Sequence, residues 1–265
     1  MRTIKNKQSL TSPKTIVGII SVCLLIVVSV KSLTGGFTSE KDTPTDTTNQ
    51  KEEQTATTAE STLIDLPAVS KDDWSLVLVG PKNKLKTEVD ETKLASLSNG
   101  YQVDERIADS YEKLAQAAKK ADFPLVIISA FRSVAYQQTV FDRNVQAVMT
   151  KNGVSEEDAI AEVKKTVTEP GYSEHHTGLA VDVVDESWYN NYPDEVLEEG
   201  FGSQPGAKWL AKNAPNYGFI VRYPKGKEKI TMIDYEPWHL RYVGEESAKY
   251  ITKNNLTLEE YLNLL

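Results

Sequence analysis

Cysteine occurs once in the 265 residues, as Cys23, so no intramolecular disulfide can form and the fold must rely on its core or on a metal. Histidine occurs three times, as His175, His176 and His239, which confines any imidazole chemistry to two short segments. No dense cluster of Lys and Arg is present and the net charge is -8. A phosphate-binding surface needs clustered cations, so nucleic acid is excluded as the main partner. From Gly35 to Thr62 there is no Val, Ile or Leu. Such a stretch buries too little apolar surface to offset its ordering entropy, and it is expected to be a flexible tether. No internal repeat is visible.

Long apolar runs are also scarce, with one exception that gives an address. Arg2, Lys5, Lys7 and Lys14 precede an apolar run from Ile16 to Val30, closed by Lys31. A basic flank followed by an apolar run is the layout of a signal peptide or signal anchor. The run is short of the ~20 residues that span a bilayer, but Lys31 can snorkel and extend it to Leu33. No small-x-small cleavage site stands out. The expectation is an uncleaved, single-pass anchor with the basic end in the cytoplasm and the remainder outside; secretion after cleavage is the alternative. Cys23 reads as a small apolar residue of that segment. The chain then divides into 1–34 (cytoplasmic tip and anchor), 35–72 (tether) and 73–265 (globular domain).

Within the globular part, Trp74 to Val79 reads as a strand. Ile107, Tyr111, Leu114 and Ala118 recur at helical spacing, predicting a helix over Asp104 to Lys120. Leu125 to Ser129 reads as a buried strand. Ser133 caps a helix running to about Thr150, and Ser155 with Asp158 starts another that ends before Pro170. Leu179–Val184, Phe219–Tyr223 and Trp238–Val243 read as strands. Lys208–Lys212, Glu245–Lys253 and Thr257–Leu264 read as helical, the last started by Thr257 with Glu260. Strands and helices mix without regular βαβ alternation. That favours an α+β domain with a small, mainly antiparallel sheet and helices packed around it.

Three segments carry polar side chains where the pattern is otherwise apolar. The first, GYSEHHTGLAVDVVD from Gly171 to Asp185, places His175 on a Gly-bounded loop and Asp182 on the following strand. Gly178 permits a tight turn that lets the two converge. Asp182 shares its strand face with Ala180 and Val184. A carboxylate there is costly to bury alone, a cost that a bound cation removes; a plain edge-strand aspartate is the alternative. The second, YEPWHLRY from Tyr235 to Tyr242, places Glu236 three residues before His239, with Pro237 stiffening the link. Zinc hydrolases need three protein ligands, an open position for water and a carboxylate to take its proton. The third, ISAFRSVAYQQ from Ile128 to Gln138, places Arg132 between a buried strand and a helix. Its guanidinium can clamp a carboxylate or stabilise an oxyanion, or simply form a surface salt bridge.

The pattern S-x-H-x-x-G-x-A-x-D, at Ser173, His175, Gly178, Ala180 and Asp182, together with E-P-W-H at Glu236 to His239, resembles the VanY-type D-alanyl-D-alanine carboxypeptidases. This group of zinc peptidases also includes the LytM-like endopeptidases and the hedgehog domain. F-R-S-x-x-x-Q at Phe131, Arg132, Ser133 and Gln137 matches too, as does GFIVRYPKGKEKIT before the second segment. The resemblance covers roughly Trp74 to Gly244 and implies a hedgehog/DD-peptidase-like fold. It implies zinc bound by His175, Asp182 and His239, with Glu236 as general base. Arg132 would hold or polarise the substrate, with Ser173 and Gln137 helping to position it. His176 is expected to support the site without ligating, Asp185 to sit at a strand end or turn, and Trp238 to pack. Tyr223 and Tyr235 are each assigned to the cleft or to the core. The implied activity is removal of the C-terminal D-alanine from peptidoglycan stem peptides. The alternatives are an L,D-carboxypeptidase acting on tetrapeptide stems, a peptidoglycan endopeptidase, and a non-catalytic zinc-stabilised binding module. The last has no need of Glu236 or Arg132. A His2Asp set also accepts other divalent ions.

Overall fold

Residues 66–192 and 196–265 are described by the structure, a computed structural model. The apolar run Ile16–Val30 and the stretch 35–62 lie outside the described residues. Four strands form one antiparallel sheet in the order β3-β4-β6-β5: β3 (Leu125–Ser129), β4 (Ala180–Asp185), β6 (Glu236–Tyr242) and β5 (Phe219–Tyr223). A two-stranded ribbon of β1 (Leu94–Ser96) and β2 (Gln102–Asp104) stands apart. The helices are α1 (Ala108–Lys120), α2 (Val134–Asn152), α3 (Glu156–Val163), α4 (Glu186–Asn191), α5 (Pro205–Asn213), α6 (Glu228–Thr231), α7 (Glu245–Lys253) and α8 (Leu258–Leu262). This is the expected α+β architecture.

Short-range chemistry sets many boundaries. Ser133 Oγ accepts from Tyr136 N at the start of α2, and Gly153 ends that helix at φ 64°. Ser155 Oγ accepts from Asp158 N at the start of α3. Thr257 and Glu260 form a reciprocal capping box on α8. Each such cap satisfies amide groups that the first helical turn leaves open. Asp185 ends β4 and caps α4, its Oδ1 accepting from Trp188 N at 2.8 Å.

Two expectations fail for the same reason. Trp74 to Val79 is not a strand: a 3-10 turn covers Trp74–Leu76, with Asp73 Oδ1 accepting from Ser75 N. The carbonyls of Ser75 and Val77 are taken by Arg241 Nη2, at 2.9 and 2.8 Å, and are lost to any ladder. The first long helix begins at Ala108 rather than at Asp104, because Asp104 closes β2 and its carboxylate accepts from Arg106 N and the Arg106 guanidinium. Side-chain competition for backbone groups overrides periodicity at both places. The ribbon β1–β2 and helix α4 had no clear sequence signal.

The sheet has two unlike faces. Val181, Val183, Leu240 and Phe219 pack with Tyr111 and Leu114 of α1 and with Leu210 of α5 in the main core. The opposite face carries Asp182, His239, Arg241 and Arg222, all buried. A second cluster, Leu76, Ile220, Val243, Ile251, Leu258 and Tyr261, closes this side with α7 and α8. Leu66 and Val69, in the stretch assigned to the tether, pack against it. A third cluster joins Phe141, Val145 and Val148 of α2 to Ala159 and Val163 of α3.

Candidate active site

The antiparallel register does much of the assembly. Asp182 of β4 and His239 of β6 are direct cross-strand partners and so share a face. Glu236 lies three residues before His239, which on a regular strand would put it on the other face. Between the pairs Val221↔Leu240 and Tyr223↔Glu236, β5 advances two residues while β6 advances four. That irregularity spans Pro237, which has no N–H for the ladder, and it returns Glu236 to the side of His239. Glu236 Oε2 is 3.7 Å from His239 Nδ1.

His175 arrives from the loop. Ser173 Oγ accepts from His175 N, a 3-10 turn covers Glu174–Thr177, and Gly178 ends it at φ 68°. His175 Nδ1 lies 2.8 Å from the carbonyl of Ala130, so it donates there and leaves Nε2 bare. Nε2 is 3.1 Å from Asp182 Oδ2, and His239 Nδ1 is 2.9 Å from Asp182 Oδ1. One ligand atom from each of His175, Asp182 and His239 lies within 4.8 Å of the others, and all three side chains are buried. Asp182 Oδ1 nevertheless receives no hydrogen bond. Two imidazole nitrogens and a carboxylate oxygen, converging around a buried acceptor without a donor, fit a divalent cation of the zinc type.

The electrostatics agree. Burial, with the nearby Arg132 charge, lowers the pKa of His175 to about 4, so it is neutral and ready to ligate. Burial opposes charge on His239, but the close carboxylates of Asp182 and Glu174 override it and raise its pKa to about 9. Burial also opposes charge on Asp182, yet the two histidines hold it well below the usual carboxylate range. Glu236 goes the other way: burial pushes it up to about 8, against the attraction of His239. One carboxylate is thus held ionised while its neighbour is poised to exchange a proton near neutrality.

These groups line a cleft, partly open to solvent, together with Arg132, Gln137, Ser173, Tyr223 and Trp238. Gln137 Nε2 donates to the carbonyl of Thr168, leaving Oε1 buried without a partner. Arg132 Nε is likewise buried and unpaired. His176 is not among the three converging side chains. Its Nδ1 meets the Arg132 carbonyl at 2.7 Å and its Nε2 accepts from Gly171 N, which ties the arginine's backbone to the loop. Tyr223 packs its ring 4.9 Å from that of His239, whereas Tyr235 is not part of the cleft and lies near Lys225. Sequence reasoning missed Glu174, whose Oε2 lies 3.3 Å from His239 Nε2, and the cleft walls at Asn144, Thr168 and Leu197. The signal for Glu174 was its place between two motif residues in a segment that had to be buried.

Residues 100–245, more than half of the chain, match the family VanY: D-alanyl-D-alanine carboxypeptidase. YodJ of Bacillus subtilis is 45% identical over 154 residues, 58% of this chain and 51% of YodJ. A D-alanyl-D-alanine carboxypeptidase of Enterococcus faecalis is 38% identical over 72% of this chain and 66% of its own length. The chain therefore spans about half to two thirds of these curated relatives. Among solved structures, a mutant of the vancomycin resistance D,D-pentapeptidase VanY in complex with Zn(II) is 36% identical, with a TM-score of 0.62 over 72% of this chain and 100% of that one. VanYB in complex with D-alanine-D-alanine is 37% identical, with a TM-score of 0.63 over 72% of this chain and 98% of that one. The LD-carboxypeptidase LdcB is 38% identical, with a TM-score of 0.58 over 70% of this chain and 84% of that one. By this match, and by the fold shared with those structures, the chain belongs to the VanY family of D-alanyl-D-alanine carboxypeptidases.

Proposed function

We propose that the protein is a zinc-dependent carboxypeptidase that removes the C-terminal D-alanine from peptidoglycan stem peptides. The observation that carries this reading is the set of buried side-chain atoms without partners among the described residues: Arg132 Nε, Gln137 Oε1 and Asp182 Oδ1, all in one cleft. Unpaired buried polar atoms are costly, and three of them converging on one space mark where a cation and a polar ligand bind. Zn(II) and D-alanine-D-alanine in the two VanY-type structures support the identity of both.

His175 Nε2, a carboxylate oxygen of Asp182 and His239 Nδ1 would hold the zinc. When bound, zinc lowers the pKa of water to near 7 and polarises a carbonyl. Glu236 is the base placed to take a proton from the attacking water and return it to the leaving amine. Its buried setting keeps that proton exchange near neutral pH. Arg132 supplies the positive charge for the developing oxyanion or the substrate's terminal carboxylate. Gln137 Oε1 offers an acceptor to a substrate N–H, and Ser173 borders the same space while holding the His175 loop.

The test is digestion of defined penta- and tetrapeptide stems, with products weighed by mass spectrometry, with and without a chelator. Loss of one alanine from the pentapeptide, abolished by the chelator, is expected. The similarity to LdcB favours a second reading, L,D-carboxypeptidase action, which trimming of the tetrapeptide alone would select; cleavage inside the stem would select an endopeptidase. Zinc binding with no product from either stem would leave a binding module.

The same reading places the domain outside the cell, anchored through Ile16–Val30. The basic flank and the apolar run support it. Among the described residues, no helix is long and apolar enough to cross a membrane, so the anchor would have to be this run. A tether of about 30 residues would reach roughly 30 Å if it behaves as a flexible coil, enough to bring the site to wall near the membrane. Fractionating cells that express the chain with and without residues 1–34 tests this: the first should sediment with membranes and the second should not.

A further inference from the structure

Glu174 stands inside the first motif, between Ser173 and His175, yet it is not one of the three side chains gathered for the metal. Its carboxylate is buried and its two oxygens are used differently. Oε1 accepts from Arg222 Nε and from Arg241 Nη1, each at 2.7 Å. Oε2 lies 3.3 Å from His239 Nε2. With Oε1 occupied by two guanidinium groups, Oε2 is the atom left for the imidazole. An ionised carboxylate only accepts, so the hydrogen of this contact belongs to His239 Nε2. A neutral imidazole with its hydrogen on Nε2 keeps its lone pair on Nδ1, the nitrogen that lies against Asp182 and Glu236.

We infer that Glu174 is a positioning residue of the metal site: it fixes the tautomer and ring orientation of His239 that present Nδ1 to the cation, and Arg222 with Arg241 fixes Glu174. The inference rests on the reading of His239 as a zinc ligand. Metal-bound histidines commonly donate their second N–H to a carboxylate, which orients the ring and raises its basicity. Here the carboxylate is clamped from both ends of the domain. Arg241 Nη2 also holds the carbonyls of Ser75 and Val77, ahead of the first strand. Arg222 also grips Glu259 of the last helix through both terminal nitrogens, at 2.9 and 2.7 Å.

A purely structural role, countercharge for two buried arginines, makes a different prediction for Glu174→Gln. Guanidinium groups only donate, so the amide oxygen would turn toward them and the amide NH2 toward His239 Nε2. A donor at that place favours the hydrogen on Nδ1, the tautomer whose Nδ1 cannot bind metal. The experiment measures zinc affinity of the full chain, stripped of metal, by competition with a chromogenic chelator, alongside its thermal melting. Glu174→Gln is expected to melt cooperatively and to bind zinc about 10- to 100-fold more weakly. A folded variant whose affinity equals that of the unsubstituted chain overturns the inference. If the variant does not fold, nitrogen NMR of the unsubstituted zinc-loaded protein decides: His239 coordinated through Nδ1 with a slowly exchanging Nε2–H supports it, and coordination through Nε2 or a freely exchanging Nε2–H overturns it. Neither measurement uses a peptide. An unsubstituted chain that binds zinc but cuts no stem peptide sinks the proposed activity and leaves this inference standing.

Discussion

Glu236 and Asp182 are two carboxylates beside the same His239 Nδ1, at 3.7 and 2.9 Å, with opposite electrostatic fates, and the difference defines their tests. Glu236 Oε2 lies 3.7 Å from His239 Nδ1 and is not one of the three converging side chains, so Glu236→Ala should keep zinc while activity falls about 100- to 10,000-fold, the usual worth of a general base. Metal content by atomic absorption and D-alanine release check the two halves; a fully active variant would remove Glu236 from the mechanism. His239 sets a pH dependence. Its pKa, raised to about 9, means that zinc must displace a proton from it at neutral pH. A raised pKa means stronger proton competition, so zinc affinity should fall as pH drops below about 9, by up to about tenfold per unit from this group. Chelator competition at about pH 6, 7 and 8 reads the slope, and a flat profile would contradict it. At this scale the residue types were legible: histidines and carboxylates in apolar surroundings need a reason to be there. The hydrogen-bond assignments, such as Ala130 O on His175 or Arg132 O on His176, were not, because they join residues more than forty positions apart.

Elements carry the second set of expectations. Gly178 turns the loop at φ 68°, and an added Cβ would lie 2.8 Å from the backbone N of Asp104. Gly178→Ala should destabilise by about 1–3 kcal/mol in denaturant unfolding, and it should weaken zinc binding because His175 hangs on the same turn. Thr257→Ala removes the capping box of α8 and should cost about 1 kcal/mol by the same measurement. Caps, turn glycines and β-branched runs are local, so Leu125–Ser129, Phe219–Tyr223 and Glu245–Lys253 could be placed from the chain alone. Trp74–Val79 could not. Its apolar pattern suits a strand, but its carbonyls belong to Arg241, more than 160 residues away. The irregularity at Pro237, which swings Glu236 to the side of His239, likewise depends on how β6 pairs with β5.

At the scale of the whole domain, a sheet with one apolar and one charged face is stable only if both are covered. Tyr111, Leu114 and Leu210 cover the first; the second is closed by the cluster around Leu76, Ile251 and Tyr261, and its charges are met by each other and by Glu259. Asp182 and the histidines remain as a site completed by a cation. Zinc at about 100 times its dissociation constant should therefore stabilise the domain by about 2.7 kcal/mol, visible as a rise in Tm that a chelator reverses. A Tm indifferent to zinc would argue against a site built into the core.

The chain alone established a basic flank and apolar run, an apolar-poor stretch, an α+β pattern and three polar motifs in apolar surroundings, because composition, periodicity and caps act over a few residues. Convergence was settled by long-range pairing. Cross-strand register put Asp182 opposite His239, an irregular β6 put Glu236 beside them, and a buried Glu174 between Arg222 and Arg241 aimed the second histidine. Those contacts join segments up to about 70 residues apart, where no local preference can specify which side chains meet.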